Sequence, residues 1–490
     1  MSASFLLAAA ERAAALSARY RAPPSVTSML LPASSPLPKL AADEGFSILT
    51  YNVLIPNSND GWWCYKYYGP SVPVEKTTWA HRQALLKSQI LGSGADIVAL
   101  QETSDIDGSF ESDWSFMAEA GYDYQLYKSG RMRPATFYKR DRWTLCQVDG
   151  SPVVPPEEGK ELPKGADGVL QGDRTLTTIL RPRGADGAPV AVPVFVINAH
   201  LSAGPEARRR LRQVHETLEL IRKLRAKAKL PEQGTCCVLV GDFNSQGHSG
   251  VRELLLAGEV RPEFRESGDA TELHQHENEV TSKAKRQSLG PFGDALGAAC
   301  AQAGVARPPT IVAAQLQPAM QNADGTISAA LVAALDEAFD ALSSDGATLS
   351  DDEQARWLTR INLQVGRGSE YRFALAARES HGGTPMTRAD FHALYAAEVA
   401  QGKFWGVEHD LRAMRPGGAG LRAPGSPPFS ADFDYVWFSS NALRLVGAQA
   451  PLPDDTMAEL LSGALHGLPD EANPSDHLPV AAAFAFEPPP

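Results

Sequence analysis

A chain of 490 residues with 43% hydrophobic and 21% charged residues has the composition of an ordinary soluble globular protein. It is long enough for one large catalytic domain with an insertion, or for two to three domains of usual size. The net charge of -12 at pH 7 excludes an overall basic surface, so a polynucleotide partner requires a local basic groove or a bound cation. No apolar stretch approaches the roughly 20 residues of a membrane span, which argues against stable membrane insertion.

The N-terminal segment, residues 1–42, is rich in Ala, Ser and Arg, and Glu11 is the only acid among its first 40 residues. This composition resembles an organelle transit peptide. A helix over Ala8–Arg21 that packs on the domain, or a disordered segment, explains it equally well. Five cysteines without CxxC spacing argue against a disulfide framework and a cysteine zinc site. We therefore expect an intracellular protein of the cytoplasm, or of a mitochondrion or plastid if the segment is a transit peptide.

Short apolar runs with β-branched or aromatic content begin after Asp43 and predict strands. Helical patterns lie between several of them, which predicts a layered α/β or α+β architecture of sheets covered by helices. The predicted strands are Phe46–Tyr51, Ile97–Leu100, Thr136–Tyr138, Thr175–Leu180, Val192–Ile197, Cys236–Val240, Phe433–Phe438 and Val480–Phe486, and the helices are Thr77–Leu91, Pro205–Leu230 and Gly250–Leu256.

The stretch 309–415 is Ala-rich and has almost no strand pattern. It predicts a helical insertion between a first part (43–308) and a last part (416–490) of one domain. Its expected helices are Ala329–Leu342, Asp351–Asn362 and Arg388–Ala400, followed by a flexible return linker over 411–428.

Polar residues stand where the first predicted strands end, which is where a sheet-based enzyme exposes them. Asn52 ends LTYN, and Gln101 and Glu102 follow IVAL. A carboxylate at the edge of a buried strand must be solvated, paired or metal-bound, and Mg²⁺ prefers oxygen ligands. A turn-forming Asn and a capping or salt-bridged Glu are the ordinary alternatives.

Two further pairs are spaced i and i+2, so each pair shares one face of a continuing strand. Asn198 and His200 in VINAHL predict phosphate binding or an acid role. Asp242 and Asn244 in VGDFNS suit phosphoester hydrolysis, because a carboxylate can take the proton of a water while an amide holds a phosphate oxygen.

Asp434 lies within an aromatic strand, and Asp476 and His477 precede the last strand. An Asp-His pair entering a strand is commonly a surface turn. Two basic clusters are also present, for which solvated surface charge is the ordinary explanation. They are Lys128, Arg131, Arg133, Lys139, Arg140 and Arg142, and Arg208, Arg209, Arg210 and Arg212, of which we select Arg212 as a substrate contact.

The motifs TYNVL, LQE, ATFYK, NAHL, GDFNS with SGV after it, FDYVWFS and SDHLPV follow one another between Phe46 and Phe486. In this order they resemble the endonuclease/exonuclease/phosphatase superfamily, and within it the nocturnin, Angel and Ccr-type deadenylase branch. The resemblance implies a four-layered α/β sandwich of two packed mixed β-sheets with the active site at one edge.

The resemblance also implies a role for each matching residue. Glu102 is then the principal Mg²⁺ ligand, assisted by Asn52 and Asp476, with Mn²⁺ as a substitute. Asp242 then activates the water, and Asn244 contacts the phosphate. His477 stabilises the phosphorane, with Asp434 orienting its ring, and His200 binds the phosphate or protonates the leaving group. Asn198, two residues before His200, is predicted as a further substrate contact. Such a set meets the needs of phosphoester hydrolysis, namely charge compensation, an in-line water and leaving-group support.

Two segments of the insertion, FDALSSDGATLSDDEQARWL and ALAARESHGGTPMTRADFHALY, resemble EF-hand cores. A Ca²⁺ loop needs oxygen ligands at positions 1, 3, 5 and 12 and Gly at position 6. With Gly346 at position 6, position 1 is Ala341 and position 3 is Ser343. We expect a degenerate EF-hand pair or an unrelated helical insertion, and no Ca²⁺ binding.

These observations predict a divalent-metal-dependent phosphoesterase that acts on a phosphodiester or phosphomonoester, with RNA 3′ ends or nucleotides as the substrate implied by resemblance. The alternative is a catalytically silent scaffold whose helical insertion binds a protein partner. A phospholipid or sphingolipid phosphodiesterase lacks support, because the sequence offers no amphipathic or apolar membrane-binding segment.

Overall fold

The computed structural model describes residues 29–33, 35–58, 61–103, 108–154, 165–184, 193–230, 235–266, 280–383, 385–423 and 425–487. The strands are β1 (Met29–Leu31), β2 (Gly45–Asn52), β3 (Ile97–Gln101), β4 (Tyr122–Leu126), β5 (Ala135–Lys139), β6 (Trp143–Leu145), β7 (Val169–Gly172), β8 (Thr175–Pro182), β9 (Val194–His200), β10 (Cys236–Asp242), β11 (Glu259–Val260), β12 (Lys285–Arg286), β13 (Phe292–Asp294), β14 (Ile311–Ala313), β15 (Thr348–Leu349), β16 (Met386–Thr387), β17 (Phe429–Ala431), β18 (Asp434–Ser439), β19 (Leu443–Gln449) and β20 (Val480–Phe486). The α-helices are α1 (Trp79–Gly92), α2 (Phe110–Asp113), α3 (Ser115–Glu119), α4 (Ala207–Lys227), α5 (Gly250–Ala257), α6 (Ala295–Ala303), α7 (Gln317–Met320), α8 (Ala329–Leu342), α9 (Asp351–Asn362), α10 (Gly368–Ser380), α11 (Arg388–Ala400), α12 (Phe404–Met414) and α13 (Asp454–Leu461).

Two seven-stranded sheets form the body of the molecule. The first has the order β1-β19-β20-β2-β3-β5-β4, and the second β13-β18-β10-β9-β8-β6 with β7 paired to β8. Parallel pairs β2/β3 and β9/β10 lie beside antiparallel neighbours, so both sheets are mixed. This confirms the predicted α/β class.

The alternation of side chains in β9 shows how four layers arise from one sequence pattern. Val194 and Val196 point into the core between the two sheets, together with Ile48 of β2. Phe195 and Ile197 point the other way, into a second core under helices α4 and α5. A strand buried on both faces must be apolar at every position, and each buried side chain of this size stabilises the fold by about 1.5–3 kcal/mol. Helix α1 covers the outer face of the first sheet in the same way, which completes a helix–sheet–sheet–helix sandwich.

The N-terminal boundary of the domain lies earlier than predicted. Strand β1 pairs in parallel with β19, and Leu31 and Leu37 are buried. Residues 29–33 and 35–42 therefore belong to the sandwich, which corrects the predicted separate segment 1–42. The transit-peptide and helix predictions for residues 1–28 lie outside the described residues.

The helical insertion leaves the sandwich and returns to it through the antiparallel pair β14/β17. Helices α7–α12 enclose a separate apolar core that includes Trp357 and Phe391. The three predicted helices are confirmed with the predicted bounds, whereas α10 and α12 were missed. The predicted linker over 411–428 is wrong in its first part, because Leu411–Met414 end α12, and Leu421 still bonds to Glu408 of that helix.

The insertion docks on the 3₁₀ turn Trp62–Tyr67 of the sandwich. Lys66 of this turn is buried, and its Nζ lies 3.1 Å from Glu370 and 3.0 Å from Asp410, both in the insertion. The ring of Trp405 stacks on Tyr67 with 4.2 Å between the centroids. A buried charge matched by two carboxylates makes separation of the two parts costly, since it leaves charges unpaired.

Within the insertion, α8/α9 and α10/α11 form two helix–loop–helix units whose loops pair through β15 and β16. In the first loop the Glu353 carboxylate accepts hydrogen bonds from Ser350 N and Oγ and from Ser344 N, at 2.7–2.8 Å. The bonds from Ser350 and Ser344 lower the pKa of Glu353 to about 2. Asp345 accepts from the amides of Ala347 and Thr348. The loop carboxylates are thus already occupied by the loop itself.

All five cysteines are free and buried, as their spacing predicts. Among the described residues, no helix has the length and apolarity to cross a membrane.

Candidate active site

Strand register assembles the candidate site at one edge of the sandwich. Asp242 of β10 lies opposite His200 of β9 and opposite Asp434 of β18, while Asn52 of β2 lies opposite Gln101 of β3. The polar residues that end separate strands in the sequence therefore meet in space, because the carboxyl ends of the parallel strands share this edge.

Two residues turn their side chains into the site by adopting a left-handed backbone. Glu102 has φ 61° and Asn244 has φ 47°. This conformation is uncommon for residues other than glycine and costs on the order of 1 kcal/mol, so strain is concentrated at this edge.

His477 lies between two carboxylates. Its Nδ1 is 2.8 Å from Asp434 Oδ2, and its Nε2 is 3.8 Å from Asp242 Oδ2. Burial lowers the pKa of His477, but the charges of Asp434 and Asp242 outweigh it and hold the pKa well above its ordinary value. The ring is an imidazolium at neutral pH and presents its positive charge beside Asp242.

Asp242 is buried and held by amides from two directions. Its Oδ2 accepts from Asn52 Nδ2 at 3.0 Å and from Asn244 Nδ2 at 3.1 Å, and its Oδ1 accepts from the backbone N of Asn244 at 2.8 Å. Burial raises the pKa of Asp242, against the lowering effect of His477. A fixed carboxylate with a raised pKa is a stronger base than one in water.

Glu102 lies on the other side of Asn52, whose Nδ2 donates to its Oε1 at 3.2 Å. Burial, and then the neighbouring charge of Asp476, raise the pKa of Glu102. Asn52 offers its nitrogen to the carboxylates, and its oxygen accepts from Leu54 N at 3.1 Å. Asn52 therefore bridges Glu102 and Asp242 in this arrangement, and its role as an assisting metal ligand stays a prediction.

This donor set fits a divalent cation. The charge of Asp476 disfavours the charged form of Glu102, and a cation between oxygen donors removes that cost. The group Asp242, Asp434 and His477 also has ligand atoms within 4.8 Å of one another. We assign no cation to that group, because Nδ1 of His477 is occupied by Asp434.

His200 faces both sides of the site. Its Nε2 is 3.6 Å from Glu102 Oε1 and 3.8 Å from Asp242 Oδ2, and its Nδ1 is 3.5 Å from the carbonyl of Met132. Burial lowers the pKa of His200 despite the charge of Asp242. The site thus contains one charged and one neutral imidazole.

Asn198 does not reach the site, which corrects its predicted substrate contact. Its side chain lies in the core between the sheets, where its oxygen accepts from Gln101 Nε2 at 2.8 Å. Its nitrogen donates to the carbonyls of Leu100 and Ala135 at 3.1 and 2.9 Å. A buried amide of this kind ties β9 to β3 and β5 and has its own hydrogen-bonding groups paired.

Arg212 lies on the exposed side of α4, with its guanidinium 3.7 Å from Asp173, which also pairs with Arg209. The carbonyl of Arg174, the residue after Asp173, accepts a hydrogen bond from the backbone N–H of His200. This places Arg212 near the rim of the site and leaves its substrate role a prediction. Arg210 of the same cluster is instead buried against Glu266, so it is not the solvated surface charge that is the ordinary explanation for such a cluster.

Three positioning residues are not among the site residues predicted from the sequence, although Ser475 stands within the SDHLPV motif. Thr310 Oγ1 accepts the backbone N–H groups of Phe433 and Asp434, each at 3.0 Å. Ser475 Oγ donates to the carbonyl of Asn52 at 2.7 Å. Arg82, in the first turn of α1, is fully buried and donates to the carbonyls of Val53, Leu54, Ile55 and Pro474, which joins the segment after Asn52 to the segment before Asp476.

The sequence profile of the Endonuclease/Exonuclease/phosphatase family matches residues 49–477. The chain belongs to this family. It is 25% identical over 283 residues to carbon catabolite repressor protein 4 homolog 2 of Arabidopsis thaliana, in an alignment that covers 48% of this chain and 44% of that protein. The match therefore spans less than half of the curated relative.

Two solved structures are similar to this chain at low sequence identity. ANGEL2, a 2′,3′-cyclic phosphatase, has 15% identity and a TM-score of 0.49, over 90% of this chain and 96% of that one. The human nocturnin catalytic domain has 13% identity and a TM-score of 0.37, over 92% of this chain and 97% of that one. The branch within the family stays a prediction from the order of the motifs.

Proposed function

We propose that this chain is a divalent-metal-dependent hydrolase of a phosphodiester or phosphomonoester in RNA 3′ ends or nucleotides. The observation that carries the proposal is the position of Asp242, which is held by Asn52 and Asn244 and faces the charged ring of His477. A base, a cationic ring and a carboxylate pair meet at one edge. The substrate class is supported by the name of a relative, the CCR4-Not complex 3′-5′-exoribonuclease subunit Ccr4 of Saccharomyces cerevisiae, which is 34% identical over 61 residues that cover 12% of this chain and 7% of that protein.

Glu102 and Asp476 would hold the cation, which we propose to be Mg²⁺ with Mn²⁺ as a substitute. When bound, the cation supplies positive charge to a phosphoryl oxygen. Asn52 keeps Glu102 and Asp242 at hydrogen-bond distance from one amide, which fixes the spacing between the acidic donor and the base.

The protein groups account for the movement of the proton. Asp242 accepts a proton from the attacking water, and the two hydrogen bonds from Asn244 keep its oxygens aimed. His477 neutralises charge on the phosphoryl oxygens, since Asp434 keeps its ring protonated and oriented. His200, neutral at physiological pH, donates or accepts a hydrogen bond and is a poor source of a full proton. This favours its phosphate-binding role over protonation of the leaving oxygen.

The scaffold alternative is less well supported, because a silent relative is expected to lack part of this set. We retain a protein partner at the insertion only as a secondary proposal. The insertion itself is best described as an EF-hand-like pair that its own hydrogen bonds close, and we propose that it binds no Ca²⁺.

The first test measures product release from a 3′-labelled oligoadenylate, an abasic DNA duplex, dinucleotide phosphates and sphingomyelin, with Mg²⁺, Mn²⁺ or chelator. Glu102→Ala is compared with Glu119→Ala, an exposed control. We expect metal-dependent turnover of a nucleotide or RNA substrate that only Glu102→Ala removes. Turnover of sphingomyelin alone, or no turnover of any substrate by folded protein, would overturn the proposal.

A further inference from the structure

A cavity of about 310 Å³ lies between the insertion and the sandwich. Trp405 and Arg412 of α12 line one side, and Tyr67, Ile311 and His466 line the other. Its volume is at the small end of the roughly 300–1,000 Å³ that ligand pockets occupy. The insertion therefore encloses space that the sandwich alone leaves open.

The sandwich wall of the cavity borders the active site. Ile311, which lines it, forms a β-bridge with His477. Tyr67, on the same wall, lies within electrostatic reach of Asp476 and Glu102. A ligand that fills the cavity thus contacts the residue that is paired with His477.

The lining combines flat aromatic surface with neutral hydrogen-bonding groups. Trp405 is fixed by stacking on Tyr67, with 18° between the rings, and on Trp63. Burial, aided by the charge of Arg412, lowers the pKa of His466 to about 4, so its ring is neutral. The exposed amide of Gln315 lines the same cavity. Aromatic faces with donors and acceptors at their edges are the surroundings that a planar heteroaromatic ring requires.

Arg412 adds a planar group with its charge already paired. Its Nη2 donates to Glu408 Oε1 at 2.6 Å, and the other oxygen of Glu408 accepts from Leu421 N. The guanidinium is therefore held in place and offers its remaining N–H groups, without attracting a second anion. This favours an uncharged ring over a phosphate as occupant.

We propose that this cavity binds the nucleobase of the substrate nucleotide whose phosphate lies between Glu102 and His477, with Trp405 of the insertion as a specificity-determining wall. The inference rests on the proposed phosphoesterase function. It gives the insertion a place in substrate selection, in addition to any contact with a partner.

The experiment compares two substrates that differ only in the base. Diadenosine monophosphate and the same dinucleotide with an abasic 3′ residue are hydrolysed by the wild type, Trp405→Leu, Trp405→Phe and Gln315→Ala, with Gln401→Ala as an exposed control of the same residue type. We expect the wild type to prefer the base-bearing substrate by roughly 10-fold or more in kcat/KM. Trp405→Leu should lose this preference through KM while it retains the rate on the abasic substrate, and Trp405→Phe should restore part of it.

A calorimetric titration with adenosine, which has no phosphate, measures cavity binding without catalysis. Binding by the wild type that weakens roughly 10-fold in Trp405→Leu supports the inference even if both dinucleotides are inert, an outcome that counts against the proposed function alone. If Trp405→Leu does not fold, Gln315→Ala decides, since this exposed residue is not needed for the core. Base preference and adenosine binding that are unchanged in folded Trp405→Leu, or in Gln315→Ala in its place, would overturn the inference.

Discussion

Nδ1 of His477 and Oδ2 of Asp434 are 2.8 Å apart in a region closed to solvent. The pair joins β18 to the segment before β20, 43 positions apart in the sequence, and it gives the ring both its orientation and its charge. The other ring nitrogen is thereby directed toward Asp242.

Substitution of the carboxylate tests this dependence directly. In Asp434→Asn the chief cause of the raised pKa of His477 is removed, so the ring loses its proton at a lower pH. We expect kcat to fall by roughly 10²–10⁴-fold and the alkaline limb of its pH profile to move to lower pH. Asp432→Asn, two residues away and paired with Arg307, is the control. An unshifted alkaline limb in folded Asp434→Asn would refute the role.

The raised pKa of His477 also makes the stability of the fold depend on pH. Because the pKa of His477 is higher in the folded protein than the ordinary value of about 6.5, its charge stabilises the fold fully below that pH. The contribution is lost as pH rises through the folded pKa. We expect the difference in thermal midpoint between wild type and His477→Gln, measured with chelator present, to shrink with rising pH over this window. A difference that grows would contradict the assignment.

Glu102→Gln should remove the cation site while it preserves the shape. Calorimetric titration with Mn²⁺ is expected to show saturable binding by the wild type and by Glu119→Gln, and a loss of at least roughly 10-fold in affinity for Glu102→Gln. Because burial and Asp476 both disfavour the charge of Glu102, the substitution should leave the metal-free protein as stable or more stable. Undiminished Mn²⁺ affinity would place the cation elsewhere.

Asn198→Ala should act on stability and leave substrate affinity alone. The change leaves the carbonyls of Leu100 and Ala135 and the amide of Gln101 without this buried partner. We expect unfolding to become easier by roughly 1–3 kcal/mol, read from denaturant titration, with an unchanged KM. A higher KM at unchanged stability would restore the substrate role that the sequence predicts.

Arg212→Gln tests the predicted substrate contact of Arg212 near the rim of the site. If this residue contacts a phosphate beyond the reacting one, KM for an oligoribonucleotide should rise, and the slope of log affinity against log salt should decrease by about one. Hydrolysis of a mononucleotide ester should not change. Arg140→Gln, whose residue pairs with Asp123 beyond the far end of β5, is the matched control. Equal effects on both substrates would indicate a structural role for the pair with Asp173.

The sequence predicts most of the residues that the structure brings together at this edge of the sandwich. It predicts the N-terminal boundary of the domain less well. Strand-end residues such as Asp242 and His477 carry a local pattern, because an apolar run must stop where a polar side chain is exposed. Asn198 has the same pattern, and only the structure shows that its amide turns inward to bond across the sheets. The sequence of α1 does not indicate that the Arg82 guanidinium donates hydrogen bonds to four carbonyls in two separate segments. Such roles depend on contacts distant in the sequence, which neither periodicity nor spacing encodes.

The register of β14 against β17 indicates how the helical insertion can be added to the sandwich. Ile311 lies opposite Ala431 and Ala313 opposite Phe429, so the insertion begins and ends at neighbouring points of one short ladder. Without the residues between them, these strands need only a tight turn to form a hairpin, so additional sequence can be gained there with little disturbance to the sandwich. The two carboxylates that pair with Lys66 both belong to the insertion. A relative that lacks the insertion should therefore have an uncharged residue in place of Lys66.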